Sequence, residues 1–124
     1  LMPGLKRTNL GTGDFKWLLH THGIRDAVTS GVVDISAFTK ATHYPDGYLP
    51  SGLFFNVANP LVIVPFTGGA GEKLAFLMGD HPTDGVEDPN VAFLFHGSIR
   101  TEFLPVKTNL PAAAPAGFYF TKGA

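Results

Sequence analysis

With 124 residues, no cysteine and nine Lys plus Arg against ten Asp plus Glu, the chain reads as one domain. It has no disulfide, no thiolate metal site and no net field to draw nucleic acid or an anionic membrane. A chain this size buries roughly two thirds of the surface it exposes when unfolded, which leaves no room for a second catalytic domain.

Its composition, 44% hydrophobic with 15% charged residues, is far from that of disordered chains, while 15 Gly and 10 Pro favour short strands joined by turns over helices. No apolar run approaches the about 20 residues that span a bilayer, and no signal-peptide core opens the chain. Together with the missing cysteines this suits synthesis in a reducing cytoplasm. Charge is distributed unevenly. Lys6, Arg7, Lys16 and Arg25 outnumber Asp14 and Asp26 in the first 26 residues, whereas Asp80, Asp84, Glu87 and Asp88 cluster without a base.

Residues 1–31 are broken by Pro3-Gly4, Gly11-Thr12-Gly13, Gly23 and Gly31, and Leu5, Leu10, Phe15, Trp17, Leu18 and Leu19 are too sparsely grouped for a helix. The expectation is an extended N-terminal arm, whose apolar side chains need a partner to cover them. A β-rich domain then occupies residues 32–124. Its first strand is read over residues 32–38, from Val32, Val33, Ile35 and Phe38.

Two turn signals follow in Thr42-His43-Tyr44-Pro45-Asp46-Gly47-Tyr48-Leu49-Pro50-Ser51-Gly52, where Pro fixes φ and Gly supplies φ > 0. Strands are expected at 53–57 and, after Asn59-Pro60, at 61–66, where Pro65 marks an edge or a strand end. Gly68-Gly69-Ala70-Gly71 is a loop, 74–78 a short apolar strand, and 80–90 a solvated acidic loop. In 90–97 the alternation puts Val91, Phe93 and Phe95 on one face and Ala92, Leu94 and His96 on the other. Gly97 marks a bend before a mixed run at 99–104, Pro111 could open one helical turn within 110–116, and Phe118-Tyr119-Phe120 closes the fold as a strand.

No catalytic constellation emerges. The four serines (Ser30, Ser36, Ser51, Ser98) sit in no nucleophile motif, and the glycine loop lacks a phosphate-loop spacing. His20 and His22 would share a strand face, with His43, His81 or His96 as a third metal ligand, but His-x-His pairs mostly occupy surfaces or ordinary hydrogen bonds. The acidic residues of 80–88 do not match an EF-hand loop and read as a solvated face.

The segments Val33-Asp34-Ile35-Ser36-Ala37-Phe38-Thr39, Thr42 through Gly52, and His96-Gly97-Ser98-Ile99-Arg100-Thr101-Glu102-Phe103-Leu104-Pro105 together resemble the head decoration proteins of tailed bacteriophages. The likeness is to the branch common among phages of actinobacteria and runs in order over residues 14–120. It implies a mainly β domain, a small barrel or tulip broadly similar to the phage lambda decoration protein, with at most one or two short helical turns. It further implies a non-enzymatic capsid cement protein without cofactors. Such a protein is made in the host bacterial cytoplasm and binds as a homotrimer to the major capsid protein on the outer surface of the expanded head. In relatives the N-terminal arm lies on the capsid protein, so the matching contact residues here are Leu5, Lys6, Arg7, Thr8, Asn9, Leu10, Phe15, Trp17, Leu18 and Leu19. Two rivals remain: a small metal- or ligand-binding β-barrel enzyme using His20 and His22, and another virion module such as a tail-tip or fibre-attachment protein.

Overall fold

The computed structural model describes residues 15–19, 27–107, 109–111, 113–115 and 117–121. It is mainly β. Strands β1 (Val28–Val32), β3 (Phe54–Asn56), β4 (Leu74–Leu77) and β6 (Asn90–Leu94) form one antiparallel sheet in the order β1-β6-β4-β3. Two small pairs complete the fold: β2 (Tyr48–Leu49) with β5 (His81–Pro82), antiparallel, and β7 (Gly97–Arg100) with β8 (Phe118–Thr121), parallel. Short helical turns lie at Ile35–Ala37, Lys40–His43 and Thr101–Phe103.

The four-stranded sheet is apolar on both faces, so its central strand carries four buried residues in succession rather than an alternation. One face gathers Phe55, Ala75, Leu77, Val91 and Phe93 with Val33, Ile35, Phe38, Leu49, Leu53 and Ile63. The other gathers Phe54, Leu74, Phe76 and Leu94 with Trp17, Leu18, Ile99 and Leu104, and β8 adds Phe118 and Phe120. The period-2 geometry of strands sends neighbours such as Phe54 and Phe55 to opposite cores. Among the described residues no ladder closes the sheet into the expected barrel. Instead, single bridges tie Ile63 to Val33 beyond β1 and Val64 to Asn56 at the end of β3, drawing the two edges together without sealing them.

The division at residue 31 does not survive. Trp17 and Leu18 are buried in the second core, Ala27 is buried beside them, and β1 starts at Val28. Leu18 bridges Ile99, Leu19 N–H donates to Ser98 O (3.0 Å) and Arg100 N–H donates to Trp17 O (2.6 Å), so residues 17–19 lie alongside β7 of their own domain. Of the apolar side chains of 15–19 that suggested an absent partner, Trp17 and Leu18 are covered by the chain itself, and Phe15 and Leu19 are half-buried. Gly31, read as punctuation, lies inside β1: a Cβ there would stand 2.5 Å from Pro60 O and 2.8 Å from Ile63 Cδ1, so its bare backbone admits the 59–63 loop.

Other boundaries shift for local reasons. The expected strand at 32–38 ends at Val32, and the chain then turns through Ile35–Ala37. The expected strand at 61–66 reduces to bridges at Ile63 and Val64, because Asn59 turns the chain before it and Pro65 lacks a donor after it. The acidic loop contains β5, and no described residue of 110–116 is helical. Both turns of the 42–52 block form, with Gly47 N–H donating to Tyr44 O (3.1 Å) and Leu53 N–H to Pro50 O (3.0 Å). The two residues between them are β2.

The second of these turns is also the seat of Trp17. The indole Nε1–H donates to Ser51 Oγ (3.0 Å), and the ring stacks on Phe76 at 5.8 Å between centroids. Ser51 N–H in turn donates to Asp80 Oδ1 (2.8 Å), which satisfies the buried serine and draws the acidic segment against the turn. A Cβ at Gly52 would lie 2.7 Å from the indole Cδ1, and its φ of +91° is unfavourable for other residues.

Truncating a buried indole typically costs about 3–5 kcal/mol. Trp17→Ala should therefore remove a large part of a stability that is about 5–15 kcal/mol for domains of this kind. Gly52→Ala should lower the urea midpoint in the same direction, and equilibrium unfolding of both variants checks the seat. Midpoints equal to that of the wild type would show that Trp17 is dispensable.

Candidate docking surface

Where β1 ends, its backbone is held by two loops at once. Val32 N–H donates to Pro60 O (2.8 Å) and Asp34 N–H to Ile63 O (2.9 Å). From the acidic loop, Pro89 O accepts from Val33 N–H (2.9 Å) and Asp88 Oδ1 from Ile35 N–H (3.0 Å). The loops around Asn59 and Asp84 are thereby fixed at one end of the molecule.

Each loop is a turn closed by a short polar side chain. Asn59 Oδ1 accepts from Leu61 N–H (3.1 Å) and its carbonyl from Val62 N–H (3.0 Å). Asp84 Oδ1 accepts from Val86 N–H (2.8 Å) and Glu87 N–H (3.0 Å), and Thr83 Oγ1 accepts from Gly85 N–H (3.1 Å). Such Asx turns leave few backbone conformers to freeze on binding. What they hold into solvent is apolar: Leu61 is 71% exposed, Val62 47% and Val86 78%. The N–H groups of Glu87 and Val86 also hold the Asp84 carboxyl below the usual carboxylate range, so this turn stays intact well below neutral pH.

Beside Val86 lies a cleft of 470 Å³ lined by His81, Asp84, Glu87 and Asp88 with Pro82, Thr83 and Pro89. Two of its carboxylates are committed, Asp84 to its own turn and Asp88 to Ile35. Among the described residues no three of His, Cys, Asp or Glu come close enough to hold a metal ion.

The expected arm residues separate into two sets. Leu5, Lys6, Arg7, Thr8, Asn9 and Leu10 lie outside the described residues, as do His20 and His22. Phe15 packs against the second core, Trp17 and Leu18 belong to it, and Leu19 is half-buried beside β7. The remaining histidines are dispersed: His81 is in β5 and His96 sets its ring edge-on to Phe95 at 5.1 Å. His43 sets its ring edge-on to Phe38 at 5.0 Å, and its Nδ1 accepts from Thr39 N–H (2.9 Å).

Side-chain clamps are what the sequence reading missed. Asn59-Pro60 is visible as a turn signal and 80–90 as a solvated loop, but not the exposed apolar tips that they carry. Glu72 had no sequence signal. Its carboxylate accepts from Thr67 Oγ1 (2.5 Å), Gly69 N–H (2.7 Å) and Thr67 N–H (2.8 Å), and the Thr67 hydroxyl above all pulls its pKa down. In comparison with known proteins, no family model, curated protein or solved structure matches the chain.

Burial lowers the pKa of His43 from its ordinary value, and a nitrogen that accepts a hydrogen bond must also be unprotonated. The unfolded chain therefore binds this proton more tightly than the folded one. His43 stabilises the fold fully above its ordinary value of 6.5, and that contribution is lost as the pH falls from 6.5 through the lowered value. His43→Asn keeps an acceptor for Thr39 but does not titrate. Wild type should lose more stability than this variant between pH 7 and 5 in urea unfolding, and parallel losses would rule out the His43 contribution.

Proposed function

We propose that the protein is a non-enzymatic structural module that docks on a larger protein assembly, and specifically a decoration protein of a tailed-phage head. In this reading it sits on the outer surface of the expanded shell as a homotrimer. There it strengthens contacts between subunits of the major capsid protein.

The observation that carries the proposal is the pair of Asx-closed loops at the end of β1, which hold Leu61, Val62 and Val86 out in water. Single exposed apolar residues are ordinary, but three large aliphatic side chains on two tethered, preorganised tips are suited to a protein interface. The likeness of residues 33–39, 42–52 and 96–105 to head decoration proteins supplies the identity of the assembly. Repetition then strengthens a modest contact, because three linked subunits bind at high effective concentration. Preference for the expanded shell over other forms converts that binding into shell stability.

The arm takes a different place in this proposal. Residues 17–19 are occupied within the domain, so any capsid contact from the N-terminus falls to Leu5, Lys6, Arg7, Thr8, Asn9 and Leu10.

Leu61→Asp combined with Val86→Asp should leave the unfolding midpoint unchanged and abolish binding to expanded heads that lack the protein, measured by co-sedimentation. Heads saturated with the wild-type protein should resist heat better than bare heads. Equal heat resistance with and without bound protein would refute the cement role.

A further inference from the structure

At the other end of β6 the chain builds a second, different surface. Val57, Leu74, Phe95, Pro115 and Phe118 wall a groove of 450 Å³, with Glu72 and Lys73 also on its lining. Phe95 is 39% exposed although its backbone is fixed, since Phe95 N–H donates to Ala27 O (2.8 Å). The floor is equally firm: Val57 N–H donates to Lys73 O (2.8 Å), and Lys73 N–H to Asn56 Oδ1 (3.0 Å). Gly97 N–H donates to Gly117 O (2.9 Å), which anchors the wall carrying Phe118.

The two charges on the lining are not equivalent. Glu72 spends its carboxylate on Thr67 and Gly69 of its own loop. Lys73 is exposed. An apolar groove with an exposed cation on its lining, beside a carboxylate already engaged by its own loop, suits an apolar side chain followed closely by a carboxylate.

We infer that this groove receives an extended acidic segment of a partner protein, with an apolar side chain against Phe95 and Phe118 and a carboxylate on Lys73. For the identity of the partner, the inference rests on the docking-module reading above. It adds a contact that the apolar tips do not make. A module with recognition surfaces at both ends of β6 can join two neighbouring subunits rather than merely sit on one.

The test is a two-dimensional NMR titration of the ¹⁵N-labelled full chain with N-acetyl-Leu-Phe-Asp-amide and, separately, with N-acetyl-Leu-Phe-Asn-amide. Shifts should concentrate at Val57, Lys73, Leu74, Phe95 and Phe118. The Asp peptide should bind about three- to fivefold more tightly, as expected for a partly exposed ion pair. Lys73→Gln should erase that ratio while keeping the apolar contribution, and Phe95→Ser should remove binding of both peptides with circular dichroism unchanged. Equal binding of the two peptides overturns the inference, as does the absence of shifts in the groove up to about 10 mM, a concentration that would detect even millimolar affinity. So does self-association in sedimentation that Phe95→Ser abolishes, which would assign the groove to a second copy. Binding to phage heads is scored separately: a wild type that ignores heads but passes the titration retires the capsid reading and leaves the groove standing.

Discussion

The structure turns on the contact between Trp17 and Phe76. Phe76 sits in the fully buried central strand of the main sheet, with the indole stacked on it at 5.8 Å and Phe118 and Phe120 edge-on at 5.2 and 6.4 Å. One aromatic ring thus collects side chains from the beginning, middle and end of the chain. The polar end of the indole fixes the geometry further, through Ser51 and then Asp80. Removing the indole would leave the turn at 50–52, the start of the acidic segment and the outer face of the sheet without a common partner. The cost of such a change is set by how poorly the three can close up.

Legibility in the sequence followed the range of the interactions. β6 and β4 were recoverable because alternating or continuous apolar residues report burial directly, and the turns at 45–47 and 50–52 because Pro and Gly act through their own backbones. The place of Trp17 was not recoverable. Nothing within residues 15–19 announces that Ser51 and Gly52, more than 30 positions away, form their seat. The same residues read by themselves look like an uncovered apolar arm, because local sequence carries no record of a distant complementary surface. Gly31 misled for a related reason: a glycine needed for close approach has the same letter as one that ends a strand.

The candidate surfaces were legible only in part. Asn59-Pro60 is recognisable as a turn and 80–90 as a loop, yet exposure of Leu61, Val62 and Val86 depends on which way a closed turn faces. The groove at Lys73 draws its walls from four separate stretches of chain, so no window of sequence could show it. Hydrophobic pattern reports that a side chain prefers to be covered; whether its own chain covers it is a property of the whole fold.

The arrangement around β7 bears on the order in which the molecule can be made. Residues 17–19 flank this strand on one side and β8 on the other, so elements from both ends of the chain meet there. Phe118 and Phe120 leave the ribosome well after Trp17 and Phe76, and until they do Phe76 lacks two of its aromatic neighbours. The second core therefore completes only once β8 has emerged, and its long-range pairings place the domain among the slower folders of its size. During that interval the face of the sheet that carries Phe54 and Phe76 is open to other chains, and the protein is most prone to aggregate then.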